Sequence, residues 1–105
     1  MNDLLIVFCT FPDIGKARET GTALVESQLA ACVNLIPAIE SIYRWQGKVE
    51  TAPEVLAIFK TTPTAWPRFE SRLHELHPYD VPEIIALKPE QVAAAYARWV
   101  GDSVK

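Results

Sequence analysis

Four stretches of the chain are apolar at nearly every position: Leu4 to Cys9, Cys32 to Ile36, Val55 to Phe59 and Ile84 to Leu87. In a pleated strand successive side chains leave on opposite sides, so an unbroken apolar run needs cover on both faces. Between and after these runs lie three segments whose apolar residues repeat at helical spacing. Those helices are expected on one side of a single sheet. The other side must meet something, and for a chain of this kind the expected partner is another copy of itself.

The first strand is expected over residues 3–11, ended by Phe11-Pro12-Asp13, with Asp13 capping a helix that runs to about Ala31. Its inner stripe is Ile14, Ala17, Gly21, Leu24, Val25 and Leu29, and Gly21 lets the helix lie close to the sheet. A second strand starts at Cys32 and is disturbed at Pro37, which has no amide hydrogen for a ladder. A bulge is expected there, because Ile39, Ser41, Tyr43 and Trp45 resume the alternation. Gln46-Gly47-Lys48 turns the chain, and Glu54 to Thr62 returns as a third strand, giving a long hairpin with a projecting tip. Thr62-Pro63 reads as the start of a second helix with Trp66, Phe69, Leu73 and Leu76 inward, and Pro78 should stop it at His77. Glu83 to Leu87 is a fourth strand. Pro89-Glu90 is expected to open a last helix with Val92, Tyr96, Trp99 and Val100 inward.

That order, βαββαβ with an extra C-terminal helix, is the split βαβ pattern of α+β ferredoxin-like folds, with an antiparallel sheet in the order 4-1-3-2. With 105 residues there is room for one core, so 1–105 is expected to be a single domain. A net charge of -3 and scattered Lys and Arg give no electrostatic reason to bind nucleic acid. The apolar runs are far shorter than a membrane span, and the start Met-Asn-Asp lacks the basic opening of an export signal, so a cytoplasmic location is expected. Cys9 and Cys32 have no framework spacing and are expected as reduced thiols, Cys32 within the core.

The topology brings the end of the first strand, the end of the second helix and the start of the fourth strand to one end of the sheet. Cys9, His77 and Glu83 would gather there, and a thiol, an imidazole and a carboxylate are donors suited to copper or zinc. The bland reading is that Cys9 packs and His77 closes a turn. Cys9 and His77 also admit a nucleophile and base reading, but no oxyanion hole or orienting third group accompanies them, so the chain is not expected to be an enzyme. His74 falls on the outer side of its helix. With four scattered glycines there is no phosphate loop, so a nucleotide would need a cleft between subunits. Tyr43 and Trp45, on one face of the hairpin, suit a clasp for a neighbouring subunit.

Four motifs, Leu29-Ala30-Ala31-Cys32-Val33-Asn34, Tyr43-Arg44-Trp45-Gln46-Gly47-Lys48, Lys60-Thr61-Thr62 and His77-Pro78-Tyr79-Asp80-Val81-Pro82-Glu83, resemble in order and spacing those of the CutA family of divalent-cation tolerance proteins. The resemblance spans essentially the whole chain. It implies a ferredoxin-like subunit in a tight homotrimer similar to PII signalling proteins, a part in tolerance of divalent metals, and copper binding with Cys9, His77 and Glu83 as metal-site candidates. Where some members carry a second histidine before the His-Pro-Tyr triplet, this chain has Leu76, which removes one such ligand. Two alternatives stay open: a PII-like module that binds a metabolite between subunits, and a Cys9-dependent enzyme.

Overall fold

A computed structural model describes residues 3–105; Met1 and Asn2, part of the N-terminal start considered above, lie outside the described residues. The elements are β1 (Leu5–Phe11), α1 (Ile14–Glu26), β2 (Cys32–Trp45), β3 (Lys48–Thr61), α2 (Trp66–Leu76), β4 (Ile84–Leu87) and α3 (Ala94–Ser103). All strand pairings are antiparallel, in the order β2-β3-β1-β4. This is the α+β ferredoxin-like arrangement expected from the pattern.

Strand alternation places Val7, Cys9 and Phe11 of β1 and Val55, Ala57 and Phe59 of β3 on one face, where they form the core with Ala17 and Leu24 of α1 and Phe69 and Leu73 of α2. Gly21 does permit close approach, since a Cβ built there would lie 2.9 Å from Val33 Cγ1. The hairpin is longer than expected, its ladder running from Trp45↔Lys48 at the tip down to the sheet. Its turn is two residues, Gln46 and Gly47, both at positive φ (52° and 80°), the combination that matches the twist of paired strands. The register slips between Ile36 and Ile39, so the bulge at Pro37 forms as expected. The projecting arm gives the molecule extents of 45 × 26 × 22 Å and a radius of gyration of 14.3 Å, above the ~13 Å typical of this length.

Three boundaries differ from the sequence expectation, each for a local reason. The first helix stops at Glu26 rather than near Ala31, because Gln28 adopts φ 62° and the amides of Gln28 and Leu29 return to the carbonyls of Val25 and Leu24. This is a Schellman ending without the glycine that normally announces it. At the second helix, Thr62 Oγ1 accepts from the Ala65 amide as expected of a cap, yet the α-helix begins only at Trp66. Pro67 has no N–H to give to the Pro63 carbonyl, which takes the Trp66 amide in a tighter turn instead.

The last helix begins at Ala94, not at Pro89-Glu90. The intervening residues carry Val92 to a second cluster formed by Leu4, Ala31, Ala97 and Val100. Tyr96 and Trp99 are therefore not inward; they are exposed and lie against each other, ring centroids 5.7 Å apart. Nor does α3 join α1 and α2. It packs beside Ile6 and Cys32, whose side chains alternate with Val7 and Val33 and so leave on the opposite face. Cys32 is accordingly half-buried rather than part of the core.

Beyond α3 that opposite face carries Phe8, Ile36, Leu56, Ile58, Ile85 and Leu87. Ile36, Ile85 and Leu87 are 42%, 47% and 46% exposed, which is open apolar surface on the two edge strands, β2 and β4. The outer edges of β2 and β4 are unpaired among the described residues.

Candidate functional site

Cys9, His77 and Glu83 do converge on one end of the sheet. Cys9 pairs with Ile84 on β4, so Glu83 stands one residue from it, and the ring of His77, at the C-terminus of α2, reaches the Thr10 carbonyl. How each is held decides what the cluster can do.

Extended backbone at His77 (φ -76°, ψ 138°), imposed by Pro78, turns its ring back under the sheet. It is 7% exposed and stacks on Phe11 with ring centroids 4.6 Å apart. Nδ1 accepts the Tyr79 amide at 3.1 Å, which assigns the proton to Nε2, and Nε2–H donates to the Thr10 carbonyl at 2.7 Å. Burial lowers its pKa below the usual 6.5, outweighing the Thr10 carbonyl, which favours the charged form. The ring is neutral with both nitrogens engaged.

Cys9 is wholly buried, and its thiol faces the same Thr10 carbonyl at 3.9 Å, so it is not hydrogen-bonded to the imidazole. Burial, with the negative charges of Glu83 and Glu54 behind it, pushes the thiol up to about 12. It carries no thiolate at neutral pH and is not an activated nucleophile. Glu83 is exposed.

Two residues that sequence reading did not single out complete this end. Tyr79 donates its hydroxyl to Glu54 Oε2 at 2.7 Å, and burial followed by that hydrogen bond raises the phenol's pKa. Glu54 lies opposite Ile39, beside the bulge, so the bond ties the turn after α2 to the root of the hairpin arm. The only signal for it was a lone acid at the polar end of an apolar strand. Leu76 is half-buried against the core.

A copper or zinc ion needs a thiolate and an imidazole lone pair. Here the thiol is wholly buried against the Thr10 carbonyl, Nε2 gives its hydrogen to that carbonyl and the Nδ1 lone pair is taken by the Tyr79 amide. The donor set as folded does not fit the ion. Among the described residues, no group of three or more His, Cys, Asp or Glu is placed to hold a metal.

A family model described as CutA1 divalent ion tolerance protein matches residues 5–103. The chain belongs to that family. It is 45% identical over 98 residues to the divalent-cation tolerance protein CutA of Thermus thermophilus, covering 93% of this chain and 95% of that one. It is 47% identical over 93 residues to mouse Protein CutA, covering 89% of this chain and 52% of the mouse protein, so it spans about half the length of that relative. Among solved structures, the Thermus thermophilus protein superposes with a TM-score of 0.94 at 43% identity over 97% of this chain and 99% of its own. CutA of Xylella fastidiosa gives 0.95 at 37% identity over 98% and 99%. The family name identifies a tolerance protein and no enzymatic activity. No helix among the described residues is long and apolar enough to cross a membrane.

Proposed function

We propose that this CutA1 family member acts in the response to divalent metal ions as a non-enzymatic, cytoplasmic homotrimer of PII-like arrangement, its open sheet face turned inward on the other copies. The observation that supports this most is the apolar surface of Phe8, Ile36, Leu56, Ile58, Ile85 and Leu87 between two unpaired strand edges. Left in water, such a face and such edges invite non-specific association; closed symmetric assembly removes both. The exposed Tyr43, Trp45, Ile42 and Val49 make the arm a clasp for a neighbour.

Copper is the ion to test first. Because Cys9 and His77 are engaged within the chain, the metal response is read as independent of them. Calorimetric titration of copper under reducing conditions should give equal affinity for the protein and for Cys9→Ser and His77→Ala variants. A loss in either variant would restore those residues as ligands. For the physiological role, cells lacking the protein should tolerate raised copper less well, and should be rescued by the natural chain but not by Leu87→Glu, which charges the open face. Equal growth with and without the protein would remove the role.

A further inference from the structure

Phe11 pairs with Val55 at the end of β1, and beyond that pair β3 has only β2 beside it, so residues 39–54 stand out of the sheet as a two-stranded ribbon. Such a ribbon carries little stability of its own. The ladder is also interrupted at this level, between Ile36 and Ile39, where a bulge bends the strand and leaves backbone unpaired. The arm therefore leaves the body over a hinge, and its direction needs support from outside the ladder.

Outside the strand ladders, the bond from the Tyr79 hydroxyl to Glu54 Oε2 is the only hydrogen bond or ion pair among the described residues that joins 39–54 to the rest of the chain. The burial of the arm follows the same side. Ile39 with Glu54 and Ser41 with Ala52 are cross-strand pairs on one face and are half-buried, whereas Glu40, Ile42, Thr51 and Pro53, which alternate with them, are exposed. Tyr79 is in turn fixed to the body. Its amide donates to His77 Nδ1 at 3.1 Å and its ring centroid lies 4.9 Å from that of the imidazole. His77 Nε2–H donates to the Thr10 carbonyl at 2.7 Å, and its ring stacks on Phe11. One unbroken series of contacts thus runs from the end of β1 through His77 and Tyr79 to the root of the arm.

We propose that His77, Tyr79 and Glu54 are positioning residues that latch the hairpin arm in one direction across the hinge at the bulge. This gives the buried histidine a task that needs no metal: it holds Tyr79 where its hydroxyl reaches the arm. With the latch open, the ribbon swings about residues 36–39, and a neighbouring copy would have to order it on binding. The latch is made within one chain; only its use in presenting the arm as a clasp rests on the homotrimer reading.

The test is time-resolved fluorescence anisotropy of a dye on Lys48→Cys at the arm tip, in the intact Cys32→Ser protein labelled substoichiometrically, with sedimentation of the same samples. Cys9 is wholly buried and is not expected to take the dye. In the otherwise natural chain the arm should tumble with the body. Tyr79→Phe and Glu54→Ala should each enlarge the fast, local part of the decay, since losing one charged hydrogen bond lowers the latched share about 10-fold or more. Glu54→Gln, whose amide oxygen still accepts the hydroxyl, should keep the arm held. Gly21→Ala, which crowds Val33 away from the arm, is the control for lost stability and should leave the fast part unchanged. A fast part unaffected by Tyr79→Phe and Glu54→Ala, or enlarged as much by Gly21→Ala, overturns the proposal. A single-chain species whose arm is freed by Tyr79→Phe would contradict the trimer and leave the latch standing; an assembled protein whose arm is held equally with and without the Tyr79 hydroxyl does the reverse.

Discussion

Alanine at Gly21 should destabilise the protein even though alanine is the better helix former. In the middle of α1 the change contributes about 0.8–1 kcal/mol of helix propensity. The new methyl, however, would sit 2.9 Å from Val33 Cγ1, closer than carbon atoms tolerate. Val33 is β-branched and stiff at χ1, so it cannot swing aside without leaving its rotamer or moving the helix. Overpacking of this kind costs about 1–3 kcal/mol, leaving a net loss of about 1 kcal/mol and a fall in melting temperature of about 4–8 °C. Gly101 supplies the opposite control, since a Cβ there meets nothing within 4 Å. Gly101→Ala should stabilise by about 0.5–1 kcal/mol. The assay is urea unfolding at fixed protein concentration for both single variants and for Gly21→Ala with Val33→Ala. In the Val33→Ala background the Gly21 change should become neutral or favourable, a coupling of about 1 kcal/mol or more. If Gly21→Ala stabilises the natural chain as Gly101→Ala does, the close contact does not govern this site.

Tyr79→Phe should cost about 1.5–3 kcal/mol, the worth of a hydrogen bond to a charged carboxylate, measured by denaturant midpoint; a change under about 0.5 kcal/mol would mean that Glu54 finds water instead. Asp13 accepts the Lys16 amide at 2.8 Å, so Asp13→Ala should cost about 1 kcal/mol, and Asp13→Ser should recover most of it. The pH dependence follows from His77. Its folded pKa lies below 6.5, so the unfolded chain binds more protons as the pH falls, and the stability held above about 6.5 is lost progressively below it. Unfolding curves between pH 7 and 5.5 should shift less in His77→Gln than in the natural protein; parallel shifts would assign the effect elsewhere.

Much of the fold was legible because strand runs and helix stripes obey different periods and both were clean. Pro37 announced its bulge and Asp13 its helix. Less legible was anything decided between segments. Gln28 ends α1 in a left-handed conformation that sequence ordinarily assigns to glycine, and Pro67 acts by denying a hydrogen to a carbonyl four residues earlier. Tyr96 and Trp99 fit an inward stripe by spacing, but α3 rolls its small residues, Ala97 and Val100, on to Leu4 and Ala31 instead. At the candidate site, topology correctly gathered Cys9, His77 and Glu83. Whether gathered donors are available depends on partners such as the Thr10 carbonyl and the Tyr79 amide, which every sequence contains and none advertises.

Sedimentation equilibrium at micromolar concentration is the most direct trial of the central claim that the exposed apolar side of the sheet is buried between copies. The account predicts a single species near three times the 11.7 kDa chain mass, converted toward smaller species by Leu87→Glu or Ile85→Glu. A stable species at the mass of one chain, unaffected by either charge, would contradict it.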